Sequence, residues 1–164
     1  MDTGLLVLRL VAGLLIAGHG VQKVSHRLGG HGIDGGAAEF RSDGFRGGRL
    51  TAAAAGLGQI IAGVLLVVGA LTPLASIIAT GVMTVAVTVK WHNGLWVQND
   101  GYEYPLVLIV LPATLALTGP GRWSVDHATG LLPWAPWWTI AAVGLGAASG
   151  LGTRALLKRP ENTT

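Results

Sequence analysis

The chain of 164 residues contains no cysteine. Disulfides, thiolate metal sites, iron–sulfur clusters and a cysteine nucleophile are therefore excluded for this chain acting alone. The nucleophile motif Gly-x-Ser-x-Gly is also absent. Any redox chemistry in which the chain takes part must use a bound molecule or a partner protein.

Charge is scarce as well. Only 12% of the residues are charged and 51% are hydrophobic, a balance that leaves too few polar groups to cover a soluble domain of this size. The 26 glycines make the apolar stretches rich in small residues, as in packed membrane helices. The eleven Lys and Arg are scattered and form no basic face, so we expect a lipid bilayer as partner and no nucleic acid.

Five apolar windows come close to or reach the ~20 residues that a transmembrane helix needs. They predict an all-α integral membrane protein folded as a compact bundle. Thr72-Pro73 separates the second window from the third so closely that these two should form an antiparallel hairpin. The windows are about Gly4 to Val24, Leu50 to Ala70, Pro73 to Trp91, Glu103 to Thr118 and Trp134 to Leu151.

The segments between the windows give further expectations. The first, about Ser25 to Arg49, is rich in glycine and charge and is predicted to be a flexible loop that lies partly at the membrane surface. All six tryptophans fall at or beside window ends, where such side chains settle at headgroup depth. Small residues four apart, such as Gly146 and Gly150, are compatible with close helix packing, although a glycine-rich chain produces such spacings by chance.

The distribution of positive charge predicts the orientation. Nine of the eleven Lys and Arg residues fall on the side shared by the first loop, the third loop and the C-terminus. The other side holds Arg122, and Arg9 lies within the first window. Because positively charged loops stay in the cytoplasm, the N-terminus is predicted outside and the C-terminus inside.

Arg9 is an ionisable residue inside a predicted span, where an unpaired charge is unfavourable. At ~100° per residue it shares one half of its helix with His19, Gln22 and Lys23, so this polar stripe should face the bundle. Arg9 lies toward the outer end, where the loop after the fourth window places Asp126. We therefore predict a structural ion pair between Arg9 and Asp126.

A second polar group is expected at the inner end. His19, Gln22 and Lys23 close the first helix there, and the third loop adds further polar residues that should converge with them under the first loop. Such a cluster has the groups to hold a quinone carbonyl, move protons or bind a small anion. The alternative is an interfacial salt-bridge network, for example Glu103 with Lys23. The residues of the third loop are His92, Asn93, Asp100, Glu103 and Tyr104.

Other polar residues carry weaker signals. Gln59, midway along the second window, is more typical of a hydrogen bond between helices than of a ligand contact. The five histidines include no close pair at the helical spacing of metal ligands, so no metal site is predicted.

Five separated segments, in the right order over about the first 127 residues, resemble the DoxX family. The resemblance implies a small helical-bundle membrane protein of bacteria, in a family linked to thiosulfate:quinone oxidoreductase and to membrane-associated oxidoreductase assemblies. It places Arg9, His19, Gln22, Lys23, Glu103, Tyr104 and Asp126 at patterned positions. The segments are Arg9-Leu-Val-Ala-Gly13, Gly18-His-Gly-Val-Gln-Lys23, Trp91-His-Asn-Gly94, Gly101-Tyr-Glu-Tyr-Pro105 and Leu117-Thr-Gly-Pro-Gly-Arg-Trp-Ser-Val-Asp126.

Family members resemble four-helix proteins, and the fifth window here is an addition. We therefore divide the chain into a DoxX-like four-helix domain (1–127), an extra C-terminal transmembrane helix (128–153) and a short basic cytoplasmic tail (154–164). The expected location is the bacterial plasma membrane.

The function implied is a subunit of, or anchor for, an oxidoreductase system that binds quinone at the inner cluster. Glu103 or His19 would move protons, and Lys23, Gln22 or Tyr104 would hydrogen-bond a carbonyl, with His92 and Asn93 beside them. One alternative is a non-catalytic scaffold that recruits a soluble redox enzyme through cationic loops. Another is a small-solute carrier, although no repeat or pair of broken helices supports it. The sequence leaves open the substrate, the partner and whether the chain forms a homo-oligomer.

Overall fold

The computed structural model describes residues 1–158. Within this range the chain forms seven α-helices and no β-strand, which confirms the all-α class. Two short 3-10 helices, Trp91–Asn93 and Val97–Asn99, follow the fourth α-helix. The α-helices are α1 (Asp2–Val24), α2 (Gly32–Ser42), α3 (Arg49–Val68), α4 (Thr72–Lys90), α5 (Glu103–Thr118), α6 (Val125–Ala128) and α7 (Pro136–Leu157).

Four of the helices are long and apolar enough to cross a membrane: α1, α3, α4 with the 3-10 turn that follows it, and α7. Helix α5 is apolar but has 16 residues, and its length of about 24 Å falls short of a hydrocarbon core of about 30 Å. The first four predicted windows agree with α1, α3, α4 and α5 to within a few residues. The hairpin at Thr72-Pro73 is confirmed, since α3 ends at Val68 and α4 begins at Thr72.

The fifth window is displaced toward the C-terminus. Helix α7 begins at Pro136, where a proline fits the first helical turn, and continues to Leu157. Residues 154–157, predicted as the start of the basic tail, are therefore helical. The rest of that predicted tail, from residue 159 onward, lies outside the described residues.

Helices α1, α3, α4 and α5 form a closed ring, and α7 packs on its outside. Helix α1 packs against α3, α3 against α4, α4 against α5, and α5 back against α1. Helix α7 packs chiefly on α4 and also on α5. The centre of the ring is filled by fully buried side chains from all four ring helices, including Ile16, Leu66, Ala79 and Leu115. This arrangement matches the predicted four-helix bundle with an added C-terminal helix.

Glycines set the distance between α4 and α7. A Cβ atom added to Gly150 would lie 2.5 Å from the carbonyl oxygen of Gly81, and one on Gly146 would lie 2.7 Å from the Cβ of Thr80. Contacts this short do not occur between real side chains, so only glycine allows the two backbones to approach so closely. The Gly146/Gly150 spacing therefore marks a true packing surface.

The prediction of a flexible loop between the first two spans is wrong, because residues Gly32–Ser42 form helix α2. The helix packs against α1 and α3. Its buried Gly36 lies over the backbone of Lys23, and a Cβ there would come within 3.3 Å of the Ala52 side chain. The glycines thus provide close packing of α2 rather than flexibility.

Candidate functional site

A cavity of about 660 Å³ lies between α3, α4 and α7, and α2 covers one end of it. We call the end of the bundle that carries α2 the inner end. The walls are mainly apolar and include Ala54 and Ala55 of α3 and Ile77, Ile78 and Val82 of α4. The volume falls within the range of about 300–1,000 Å³ that is usual for small-molecule sites.

The deep part of this inner cavity holds a polar side chain. Gln59 lines the cavity and is 2% exposed, and its Oε1 has no hydrogen-bond partner among residues 1–158. It lies eight residues beyond Thr51, which lines the cavity near the start of α3 and is therefore about 12 Å nearer the inner end. A buried polar group without a partner costs about 1–3 kcal/mol, so this amide is available to hydrogen-bond water or another molecule in the cavity.

The mouth of the inner cavity is lined by charged groups. Lys23 of α1 pairs with Glu39 of α2 at 3.0 Å, and its ammonium lies 5.3 Å from the centre of the Phe40 ring. Lys90, at the end of α4, pairs with Asp100. All these residues line the cavity, which places the two ion pairs side by side at its polar end.

Asp43 completes the mouth and differs from the other two acids. Its side chain forms no ion pair or hydrogen bond with any residue in the described part of the chain. Burial raises the pKa of the Asp43 carboxyl above its ordinary value, and the neighbouring Glu39 raises it further, whereas Lys23 and Lys90 act in the opposite direction. Among residues 1–158, the mouth thus contains three carboxyl groups and two amines.

The structure brings together only part of the predicted inner cluster. His19 and Tyr104 join α1 to α5 through a hydrogen bond of 2.8 Å between Nε2 and the phenol oxygen, with their rings edge to face. Gln22 donates to the carbonyl oxygen of Leu28 at 2.7 Å. None of His19, Gln22 and Tyr104 lines the inner cavity.

The remaining members of that cluster are held locally. Glu103 accepts a hydrogen bond of 3.1 Å from the backbone N–H of Val97, so the suggested Glu103–Lys23 bridge is not formed. His92 is exposed, and Asn93 donates to the carbonyl oxygen of Asp100 at 3.1 Å. Of the predicted site residues, only Lys23 and Asn93 line the cavity.

At the opposite, outer end, Asp126 caps helix α4. Its Oδ1 accepts from the N–H of Leu71 at 2.6 Å, and its Oδ2 accepts from the N–H and the hydroxyl of Thr72 at 3.0 and 2.7 Å. The indole N–H of Trp134 donates to the same Oδ2 at 3.3 Å. A fully buried carboxylate therefore supplies the acceptor that Leu71, the residue before α4, lacks.

The predicted Arg9–Asp126 ion pair is wrong in its detail, since no ion pair joins them within residues 1–158. Arg9 is buried, as expected, and donates instead to the carbonyl oxygen of Trp123. Its guanidinium lies against Gly69, where a Cβ atom would overlap it. Arg9 and Asp126 both lie at the outer end, but the carboxylate oxygens of Asp126 accept hydrogen bonds from the backbone N–H groups at the start of α4.

Sequence reasoning missed Asp43 and Glu39 as site residues, because both depend on the unexpected helix α2. The sequence pattern favours a contact between helices for Gln59, yet no other helix in the described range provides a partner for its Oε1. A better signal was present: a mid-span amide in a window whose neighbours are almost all Ala, Gly, Leu and Ile has few protein groups to bind.

Comparisons with curated proteins and with solved structures give no match. The family model described as DoxX matches residues 4–92, which is more than half of the chain. The matched range contains α1 to α4 and ends in the 3-10 turn after α4, so it includes Lys23, Glu39, Asp43, Gln59 and Lys90. The chain therefore belongs to the DoxX family and is a multi-pass helical membrane protein.

Proposed function

We propose that this protein is a membrane subunit of an oxidoreductase system and that it binds a quinone in the inner cavity. The observation that carries the proposal is the buried, unpartnered amide of Gln59 at the deep end of an apolar cavity between membrane-spanning helices. The proposal differs from the sequence-based expectation, which centred the site on His19 and Glu103.

The chemistry of the cavity supports a neutral, lipophilic ligand with carbonyl groups. The Gln59 amide has an N–H₂ that donates to a quinone oxygen and a carbonyl that accepts from a quinol hydroxyl, so one side chain serves both forms. The apolar walls suit a ring and its tail. Glu39 and Asp100 already pair with the two ammonium groups at the mouth, so neither amine among residues 1–158 is available to bind an anion such as thiosulfate.

When bound, a quinone supplies two-electron, two-proton redox chemistry. The chain's own residues would hold and orient it: Gln59 by hydrogen bonds at the deep end, and Ile77, Ile78 and Val82 by apolar contact. Electrons would come from a partner protein. Glu103, His19 and the residues near them remain a competing site, which the same experiment tests.

The test is to purify the full chain in native lipids and quantify bound quinone by mass spectrometry. Gln59→Leu removes both hydrogen-bonding groups and should lower the retained quinone at least about tenfold. Glu103→Gln and His19→Gln are matched controls outside the cavity and should retain the wild-type amount. Loss in Glu103→Gln with retention in Gln59→Leu would move the site to the α1–α5 cluster, and absence of quinone from the wild type would refute the proposal.

A second function is favoured by the inner surface. Arg41 and Arg46 are exposed and form no ion pair within residues 1–158, while the exposed Arg49 pairs with Asp34 at 2.8 Å. These cations suit a scaffold that recruits a soluble redox enzyme by charge. Reversing Arg41, Arg46 and Arg49 to Glu should then abolish co-purification of the partner, whereas Gln59→Leu should leave it intact. Retention of the partner after charge reversal would exclude this mode of recruitment.

A further inference from the structure

Asp43 lies at the inner rim of the cavity, directly after the last residue of α2. Its backbone N–H donates to the carbonyl oxygen of Glu39 at 3.0 Å, which fixes the turn, and its side chain lines the cavity. The side chain is half-buried and so contacts both the cavity and the inner surface. Its position allows exchange with water on one side and with a ligand on the other.

The charged groups around Asp43 come from four parts of the chain. Lys23 of α1 and Glu39 of α2 form one ion pair, and Lys90 of α4 and Asp100 of the following loop form the other. The cavity residues that α3 and α7 contribute are uncharged. Glu39 and Asp100 are each held by an ammonium group, so Asp43 is the carboxyl at this mouth that has no cation bound to it among residues 1–158.

We infer that Asp43 is the proton-exchanging group of the inner cavity, passing protons between water at the inner end and a bound quinone. This inference rests on the proposed function. A carboxyl that is neither salt-bridged nor hydrogen-bonded exchanges its proton readily, whereas a carboxylate fixed to an ammonium stays ionised. Burial and the adjacent carboxylate favour the protonated form of Asp43 at the mouth.

The α7 wall offers a path from this rim to the depth of Gln59. Thr153 and Ser149 line the cavity about one and two turns before Leu157, which lies at the inner end. Their hydroxyls donate within the helix, Thr153 to the carbonyl oxygen of Ser149 and Ser149 to that of Gly146, each at 2.8 Å. Each hydroxyl oxygen keeps a lone pair that can accept a hydrogen bond from water.

Two electrons from a reduced flavin on the partner protein and two protons convert quinone to quinol. For each proton, the O–H bond of the Asp43 carboxyl breaks, an O–H bond forms on the ligand oxygen by way of water and the α7 hydroxyls, and the carboxylate recovers a proton from water at the inner end. Asp43 is therefore unchanged after the two transfers.

The first experiment needs no ligand. Infrared spectra of the full chain in nanodiscs should show a carboxylic acid C=O band that persists above pH ~3.9, the ordinary pKa of aspartate. Asp43→Asn should remove the band. Asp34→Asn, which removes an exposed, salt-bridged acid of the same helix, should keep it. A wild-type protein without this band would overturn the inference.

The second experiment measures proton delivery. Full chain in nanodiscs is loaded with substoichiometric decylubiquinone, dithionite supplies the electrons, and quinone absorbance is followed across a range of pH. Asp43→Asn should slow quinol formation at least about tenfold, since positioned acid–base groups contribute about 10²–10⁴-fold. Asp43→Glu should remain near the wild-type rate, and Asp34→Asn should match it. Added imidazole, a small proton carrier, should partly restore the rate of Asp43→Asn.

The outcomes separate the two proposals. If Gln59→Leu loses quinone but Asp43→Asn reduces it at the wild-type rate, the proton role is refuted and the quinone site stands. If Asp43→Asn forms quinol slowly and added imidazole does not raise that rate, Asp43 has a structural role instead of a role in proton transfer. If the wild type binds no decylubiquinone, both the quinone site and the proton role of Asp43 are refuted.

Discussion

Asp126 holds the first residue of α4, Thr72, by two hydrogen bonds to one oxygen: Oδ2 accepts from the Thr72 N–H at 3.0 Å and from its hydroxyl at 2.7 Å. The two residues lie 54 positions apart. The carboxylate thus ties the loop after α5 to the α3–α4 hairpin. It also stands where the helix dipole favours a negative charge.

Asp126→Ala should therefore lower the free energy of unfolding by about 3 kcal/mol, because it removes a helix cap and leaves buried N–H groups without partners. Asp126→Asn keeps one carbonyl acceptor and should lose less. Asp34→Ala, at an exposed site, should change stability by less than about 0.5 kcal/mol. Equilibrium unfolding in detergent measures all three, and wild-type stability of Asp126→Ala would show that the cap is dispensable.

The sequence predicted the outer layer only in part, and the physical reason is local. Arg9 and Asp126 were correctly assigned to one end of the bundle, since helix length fixes depth. Their pairing was wrong because the first N–H groups of a helix have no partner inside the helix and compete for any nearby carboxylate. Which donors bind the Asp126 carboxylate depends on the hairpin between α3 and α4 and on how closely the Arg9 guanidinium approaches Gly69. Apolar patterning predicts neither feature.

The inner site was harder to predict for a different reason. Apolar stretches located the spans, and the positions of Lys23 and Lys90 at one end followed from them. Helix α2 was not predicted because its first five residues include three glycines, and packing on α1 and α3 stabilises it rather than intrinsic propensity. Without α2, neither Glu39 nor Asp43 could be placed at the mouth, and the expected partners of Lys23 came from the wrong loop.

The glycine contact between α4 and α7 gives a test of the cavity wall. Gly150→Leu places side-chain atoms where Gly81 and Thr84 now lie, so α7 must move away from α4. We expect retained quinone to fall at least about tenfold, with stability lower by about 1–3 kcal/mol. Gly152→Leu is the matched control, because nothing lies within 4 Å of a Cβ there. Equal quinone retention by both variants would show that α7 does not form the wall of the site.

Asp43 should make stability depend on pH in a defined direction. Its folded-state pKa is raised, so the folded protein holds a proton that the unfolded chain releases earlier. Proton binding by Asp43 stabilises the folded protein fully below the unfolded-state pKa of about 3.9, and this stabilisation is lost as pH rises through the folded-state pKa. Asp43→Asn should therefore be more stable than wild type at neutral pH, and the difference should shrink on acidification. Thermal unfolding across pH measures this, and a variant less stable at neutral pH would contradict the raised pKa.

The orientation of the bundle decides which compartment supplies the protons. The positive charge of the inner loops predicts that Asp43 faces the cytoplasm. Because the chain lacks cysteine, single substitutions report position without background. A membrane-impermeant maleimide should label His127→Cys, exposed at the outer end, in intact cells, and should label Ser42→Cys, exposed at the inner end, only after permeabilisation. The reverse pattern would show that the charge count misassigns the bundle and that protons enter the cavity from outside the cell.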